Sequence, residues 1–425
     1  MKFFSSKLSM GCMAILLATG LGGCDKEEIG TESETQTLLR GIPLSCYIEV
    51  GPKGIHPSIT SSTVELVNSQ SSQWAEIALE YANAGDIEQA ITLTEKIEDY
   101  LTRDKTLVEL AGQLAAQGEY EQAKQLVERI KEYESFKAKG LARIGRYYAI
   151  AGNDRAASEL FSEAIAFTKT LDAQYIQPMA FAEIAIEYAG AGQEDEAIQL
   201  VAEINDDSSK AMALAGIASE LAETQPASKA LQIVETIADD YYQARALTDI
   251  AKKVTIAELN RIVQTINTIE DETNKDAALA EIVMIYIRSG QFDPAAELTE
   301  IVLDNDWLLP GIIAEYAKTA QVNRISALLN SMDNEYWQNR ALIEMASGYA
   351  GMGDFDTALE LANGINSPDT KYSALMAIAK QYAEAGDYQQ SLELFQNIAI
   401  TTANEAISYD IESYFSPLVN CAMAR

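Results

Sequence analysis

From residue 70 to about residue 400 the chain repeats itself. Self-similarity at a fixed short period constrains a fold more than any single motif does. Trp74-Ala-Glu-Ile-Ala-Leu-Glu-Tyr-Ala-Asn-Ala-Gly85 aligns with Phe181-Ala-Glu-Ile-Ala-Ile-Glu-Tyr-Ala-Gly-Ala-Gly192 and with Leu375-Met-Ala-Ile-Ala-Lys-Gln-Tyr-Ala-Glu-Ala-Gly386. The leading apolar position recurs at Trp74, Leu107, Leu141, Phe181, Leu214, Leu247, Leu279, Leu309, Leu342 and Leu375, which makes ten units. Their steps fall between 30 and 34 residues, apart from one of 40 between Leu141 and Phe181.

Each unit reads as two helices. In the first, Trp74, Ile77, Ala78 and Tyr81 lie on one face of a 3.6-residue period. The Ala-Gly that follows is a stop, because glycine takes the left-handed conformation at low cost. Asp86, Asn153, Asp354 and Asp387 then stand where N-caps of a second helix belong. That helix runs Ala90, Leu93, Ile97 in the first unit and Ala358, Leu361, Ile365 in the ninth. Units join through Ile-x-Asp turns at Ile97–Asp99, Ile204–Asp206, Ile237–Asp239 and Ile269–Asp271.

Small residues recur at one place in the first helix (Ala78, Ala111, Gly145, Ala185, Ala218, Ala251, Ala346) and one in the second (Ala90, Ala123, Ala157, Ala197, Ala230, Ala295, Ala358). They let helices approach closely while larger side chains interlock around the contact. A single pair cannot bury its apolar face, but a stack of pairs builds a continuous core.

These units resemble tetratricopeptide repeats, most clearly in Leu342, Ala346, Tyr349, Gly353 and Ala358. The resemblance covers about three-quarters of the chain and implies an all-α, right-handed α-α superhelix of about ten helical hairpins. The family's proline near the end of each unit is absent, and the units around Ile256 and Val322 lack the glycine and look shortened. Pentatricopeptide repeats share the Tyr-to-Gly spacing but bind RNA, which acidity and export argue against.

Outside the repeats, Lys2 and Lys7 precede an apolar stretch, Met10 to Leu21, too short to span a bilayer. A basic start, a short apolar core and small residues before a cut mark an export signal. Leu21-Gly22-Gly23-Cys24 resembles the lipobox of bacterial lipoproteins, which implies lipidation of Cys24 and a membrane-anchored protein facing the periplasm or cell exterior. The expected organisation is a signal peptide at 1–23, a Ser/Thr/Glu-rich tether at 24–69, repeats at 70–400 and a capping helix at 401–425. A tether of that length spans roughly 35–40 Å, with an extended patch expected around Cys46-Tyr-Ile-Glu-Val50. Ile407, Ile411 and Phe415 share one face of the cap.

The net charge of −33 repels nucleic acid, whose binding rests on neutralising phosphates. It also repels anionic headgroups, so a lipid anchor would hold the protein without help from a basic patch. Of the four cysteines, Cys12 leaves with the signal and Cys24 is the lipid site, which leaves Cys46 and Cys421. An oxidising compartment permits a bridge between them. An extended array would hold them at opposite ends, so the expectation is two unpaired cysteines, with the bridge as the alternative.

The sequence marks no catalytic constellation and no cofactor. The lone His56 precedes Pro57 in the expected tether and reads as a solvated loop residue. No phosphate-binding glycine loop, Cys-x-x-Cys or nucleophile elbow occurs. Acids recur at the inter-unit turns (Asp206-Asp207, Asp239-Asp240, Glu270–Glu272, Asp304 with Asp306, Asp333 with Glu335). Without EF-hand spacing they read as helix caps rather than calcium ligands. Tyr100, Tyr241, Tyr242, Trp307, Tyr336, Trp337 and Tyr372 follow these acids, either as binding anchors or as turn packing.

In tetratricopeptide arrays the first helices line a groove that holds a partner's segment. Position by position, the resemblance puts Lys105, Lys139, Arg146, Arg245, Lys252, Arg340 and Lys380 on that groove, with small residues between them. They either bind an acidic segment or a free C-terminal carboxylate through charge-assisted hydrogen bonds, or only solvate helix surfaces. The expected function is a non-catalytic protein-protein interaction scaffold of the bacterial cell envelope. The alternatives are a carbohydrate- or envelope-polymer-binding or -active protein, and a self-associating spacer whose homo-oligomerisation would show as concentration-dependent mass.

Overall fold

The computed structural model describes residues 38–39, 41–52, 63–302, 306–319 and 321–425. The export motif, Cys24, His56 and Asp304 lie outside the described residues. Thr37–Arg425 form one compact unit.

This unit is an all-helical tetratricopeptide-like solenoid. After a short α1 (Leu44–Val50) come ten hairpins. The first five are α2 (Thr63–Asn83) with α3 (Ile87–Thr94), α4 (Tyr100–Ala116) with α5 (Tyr120–Val127), α6 (Glu134–Ile150) with α7 (Asp154–Thr168), α8 (Ile176–Gly190) with α9 (Glu194–Ala202), and α10 (Asp207–Thr224) with α11 (Ala227–Val234). The second five are α12 (Asp240–Ala251) with α13 (Ile256–Ile266), α14 (Glu272–Arg288) with α15 (Phe292–Val302), α16 (Leu309–Lys318) with α17 (Val322–Ser331), α18 (Glu335–Gly351) with α19 (Phe355–Gly364), and α20 (Pro368–Glu384) with α21 (Tyr388–Thr401). All ten leading positions fall in first helices. Of the three units that lack the stop glycine, two have shortened first helices, α12 with 12 residues and α16 with 10, where α4, α6, α14, α18 and α20 have 17; the third has Gln225 at that place and keeps an 18-residue α10.

The glycine stop has a definite geometry. Gly85 takes φ +91 and donates its N–H to Ala82 O while Asp86 N–H reaches Tyr81 O, which is the Schellman pairing. At several helix starts the leading N–H groups are met by side chains. Asp86 accepts from Gln89 N–H, Asn153 from Ala156 N–H and Asp354 from Thr357 N–H. The turn acids cap the first helices in the same way, Asp99 for Thr102, Asp206 for Ser209, Asp239 for Tyr242 and Asp271 for Asn274. Asp387 sits at its N-cap position but makes no side-chain cap bond.

Consecutive first helices pack side by side from α2 to α20, whereas second helices pack on first helices rather than on one another. Each unit is therefore narrower on the first-helix side, and the array curves with that side inward. The small residues permit the close inner packing, since Ala78, Ala111, Ala185, Ala218 and Ala346 are all fully buried. Rings interlock units on the other flank: Tyr148 stacks on Tyr120 of the preceding unit at 3.7 Å, Tyr188 on Phe161 at 3.9 Å, and Tyr382 on Phe355 at 3.8 Å. Tyr286 and Tyr349 are buried, while their counterparts at Tyr81, Tyr148, Tyr188 and Tyr382 are partly so.

Carried through ten units, the curvature brings the two ends together, and two expectations are overturned. The segment around Cys46–Val50 is the helix α1 rather than an extended patch, and it is part of the core rather than of a tether. Cys46 and Cys421 are not at opposite ends of an open array: they form a disulfide with Cα atoms 5.8 Å apart. Beyond α21, α22 (Glu405–Asp410) runs through a π-helical turn, Ile411–Phe415, into α23 (Ser416–Met423). α1 lies between α23 and α2, so packed helices form a closed circuit. One apolar cluster joins Cys46 and Tyr47 to Ile77 and Ala78 on one side and Phe415, Leu418 and Val419 on the other. Polar contacts reinforce the closure. Leu38 N–H donates to Glu76 Oε1 (3.0 Å), Tyr388 O–H to Gly41 O (2.6 Å), and Arg425 pairs with Glu49 (2.8 Å). No helix among the described residues is long and apolar enough to cross a membrane.

Candidate partner-binding face

The face of the first helices turned away from the second helices is built from three repeat positions: two residues before the leading apolar residue, two after it, and five or six after it. These positions are three or four residues apart, so they form one stripe. All seven cations named from the sequence occupy it, and most are paired. Lys139 Nζ lies 2.8 Å from Glu183. Arg146 meets Glu220 with two parallel bonds of 2.9 and 2.8 Å. Lys252 lies 3.8 Å from Glu281, and Arg340 lies 2.9 Å from Glu344. Lys380 sits 4.8 Å from the centre of the Phe415 ring. Burial first, and then Lys139, depress the pKa of the Lys105 ammonium, against the pull of Asp99 and Glu183. Arg245 differs: its guanidinium makes no hydrogen bond or ion pair among the described residues.

The tightest part of this face was not picked out from the sequence. Arg143 binds Glu187 at 2.9 Å and Glu109 at 2.6 Å, and Arg146 Nη1 stands 3.6 Å from Glu187. A chain of alternating charge, Glu109–Arg143–Glu187–Arg146–Glu220, thus crosses α4, α6, α8 and α10. Burial alone would raise the Glu187 carboxyl, but Arg143, then Lys139 and Arg146, hold it below its usual value. Glycines make the room. A Cβ on Gly112 would stand 2.7 Å from Arg143 Cδ, and one on Gly190 would stand 2.2 Å from Arg146 Cζ. The signal was present as Lys139, Arg143 and Arg146, spaced i, i+4, i+7 on one helix; only the outer two fell on positions read from the resemblance.

A second cluster, Arg288–Glu315–Lys318, joins α14 to α16 at 2.9 and 3.1 Å. The best-formed hollows elsewhere, one lined by Leu329, Asn330, Gln338 and Leu342 and one by Gly290 to Pro294, are small and open. Among the described residues no three His, Cys, Asp or Glu side chains stand together as metal ligands. The arrangement offers ion pairing and hydrogen bonding along a concave surface.

No protein-family model matches the chain, and no curated protein matches it. Solved structures do align over most of its length. The chain is similar to Ton1535 from Thermococcus onnurineus NA1 (16% identity, 80% of this chain and 98% of that one, TM-score 0.32). It is also similar to yeast Tom70 (12% identity, 83% and 89%, TM-score 0.28) and to a circular tandem repeat protein (14% identity, 85% and 82%, TM-score 0.18). At these TM-scores the superpositions carry no argument about function.

Proposed function

We propose that the protein is a non-catalytic interaction scaffold of the bacterial cell envelope, anchored through a lipid on Cys24 and binding a segment of another protein on the concave face of the first helices. The observation that carries this reading is the makeup of that face. Cation–carboxylate pairs bridge neighbouring repeats over most of it, while Arg245 has no side-chain partner among the described residues and Arg340 and Lys252 are partly exposed. A carboxylate-bearing segment would meet an unspent guanidinium at Arg245 and compete with modest surface pairs at its neighbours, which are worth about 0–1 kcal/mol each. The anchor rests on the sequence around Cys24, and the envelope location rests on the anchor.

Crosslinking in the native cells, affinity capture of the full chain and mass spectrometry of the captured proteins test the scaffold reading. A reproducible partner lost on Arg245→Glu with Arg340→Glu supports it; a partner retained by that variant sinks the role of this face. Palmitate labelling that disappears on Cys24→Ser supports the anchor, and unlabelled wild type refutes it.

A further inference from the structure

The first helices run in one direction, and their N-terminal ends are tied together. Asp99 N–H donates to Ser71 Oγ (2.9 Å), Tyr133 N–H to Asp104 (3.1 Å), Asp271 N–H to Asp240 (2.7 Å) and Asn334 N–H to Asp306 (2.8 Å). These ends therefore make one rim of the unit. On it stand Tyr100, Tyr133, Tyr175, Tyr241, Trp307 and Tyr336, each within two residues of the start of a first helix. They are 41% to 72% exposed, and the one other exposed aromatic ring among the described residues is Tyr409, in α22. The opposite rim, at the glycine turns, exposes Ile150 and Met352 but no ring. Exposed apolar residues scattered singly need no explanation; six of the seven exposed rings among the described residues on one edge is not scatter.

The surroundings of the rings indicate what covers them. Asp172, Asp207, Glu272 and Glu335 stand exposed on the same rim, in a chain of net charge −33. One ring already holds a cation, since the Arg103 guanidinium lies 4.8 Å from the centre of Tyr100. An aromatic face attracts a cation through its quadrupole, and a carboxylate beside it adds a hydrogen-bond partner. We propose that this rim docks a Lys- and Arg-rich segment of another protein, its cations seated on the ring faces and paired with the intervening carboxylates. The site is separate from the concave face and needs no occupant there.

The test uses the full chain and a fluorescein-labelled nona-arginine peptide in 150 mM salt, with chitohexaose as a neutral glycan probe. The rim variant carries Tyr100→Ser, Tyr241→Ser and Tyr336→Ser, substitutions at exposed sites that leave the charge unchanged. The control variant carries Ile150→Ser and Met352→Ser on the opposite rim. Three exposed cation–π contacts correspond to a weakening of about tenfold or more. The expected result is that loss of nona-arginine affinity in the rim variant, with wild-type affinity in the control. Equal affinity in wild type and rim variant would overturn the proposal, because attraction would then follow net charge alone. So would rim-dependent binding of chitohexaose without rim-dependent binding of the peptide, which would make the edge a glycan surface.

Discussion

Two carboxylates with opposite pKa shifts, the buried Glu187 and the partly buried Glu76, set the residue-scale energetics. Glu187 is depressed by its three cations, so its ionised form stabilises the fold above the ordinary carboxylate range. That stability is lost as pH falls through and below about 4. Arg143→Met leaves the carboxylate buried with its nearest cation gone, and is expected to cost about 3 kcal/mol in urea unfolding at neutral pH. It should also flatten the acid limb of the stability profile. Glu76 is raised, by burial first and by the nearby Glu80, against the pull of the Leu38 N–H. Its folded form favours the proton, so its contribution is full at low pH and is lost as pH rises through its elevated value. Glu76→Gln keeps an acceptor for Leu38 and removes the charge. It should raise Tm at pH 7.5, with the gain vanishing towards pH 4 in a thermal melt. The cations of the concave face could be named from the sequence because repetition assigns them a shared position. Apart from Glu344, four residues beyond Arg340 on the same helix, their partners could not, because Glu183, Glu187 and Glu220 become neighbours only once first helices are packed side by side.

At the scale of the element, helices end and approach one another where single residues permit it. Gly190 is needed for close approach: a methyl group there would displace the Arg146 guanidinium and break its paired bonds to Glu220 across the intervening α8. Gly190→Ala should therefore destabilise the fold by about 1–3 kcal/mol, although alanine favours a helix over glycine by about 1 kcal/mol. Chemical denaturation reads the sign, and a double-mutant cycle with Arg146→Met should show non-additivity. The hairpins were legible because apolar period, glycine stop and acidic cap agree in most units. The shortened α12 and α16 were legible as the same pattern with the glycine missing. By contrast, α1 was not. It has seven residues and no repeat copy, and its disulfide partner is 375 residues away. A short segment whose folding depends on so distant a surface leaves no local period to read.

At the scale of the whole unit, the disulfide covalently closes a loop that spans almost the entire fold. In the chain-entropy account, joining residues that far apart removes roughly 6 kcal/mol of freedom from the unfolded chain. Cys46→Ser with Cys421→Ser should lower the urea midpoint, and reductant should do the same to the wild type but leave the variant unmoved. The closure was hidden from the sequence because curvature is a sum of small rotations per unit, which ten alignable segments do not reveal. It also changes the statistics of melting. An open stack behaves like a line of coupled spins whose end members have one neighbour each, so they let go first. With α1 bridging α23 and α2, the line becomes a loop with periodic boundaries, and every hairpin must break two junctions to open. Amide exchange in α2 and α21 should then be as slow as in the middle of the chain, and should quicken there first when the Cys46–Cys421 bond is cut.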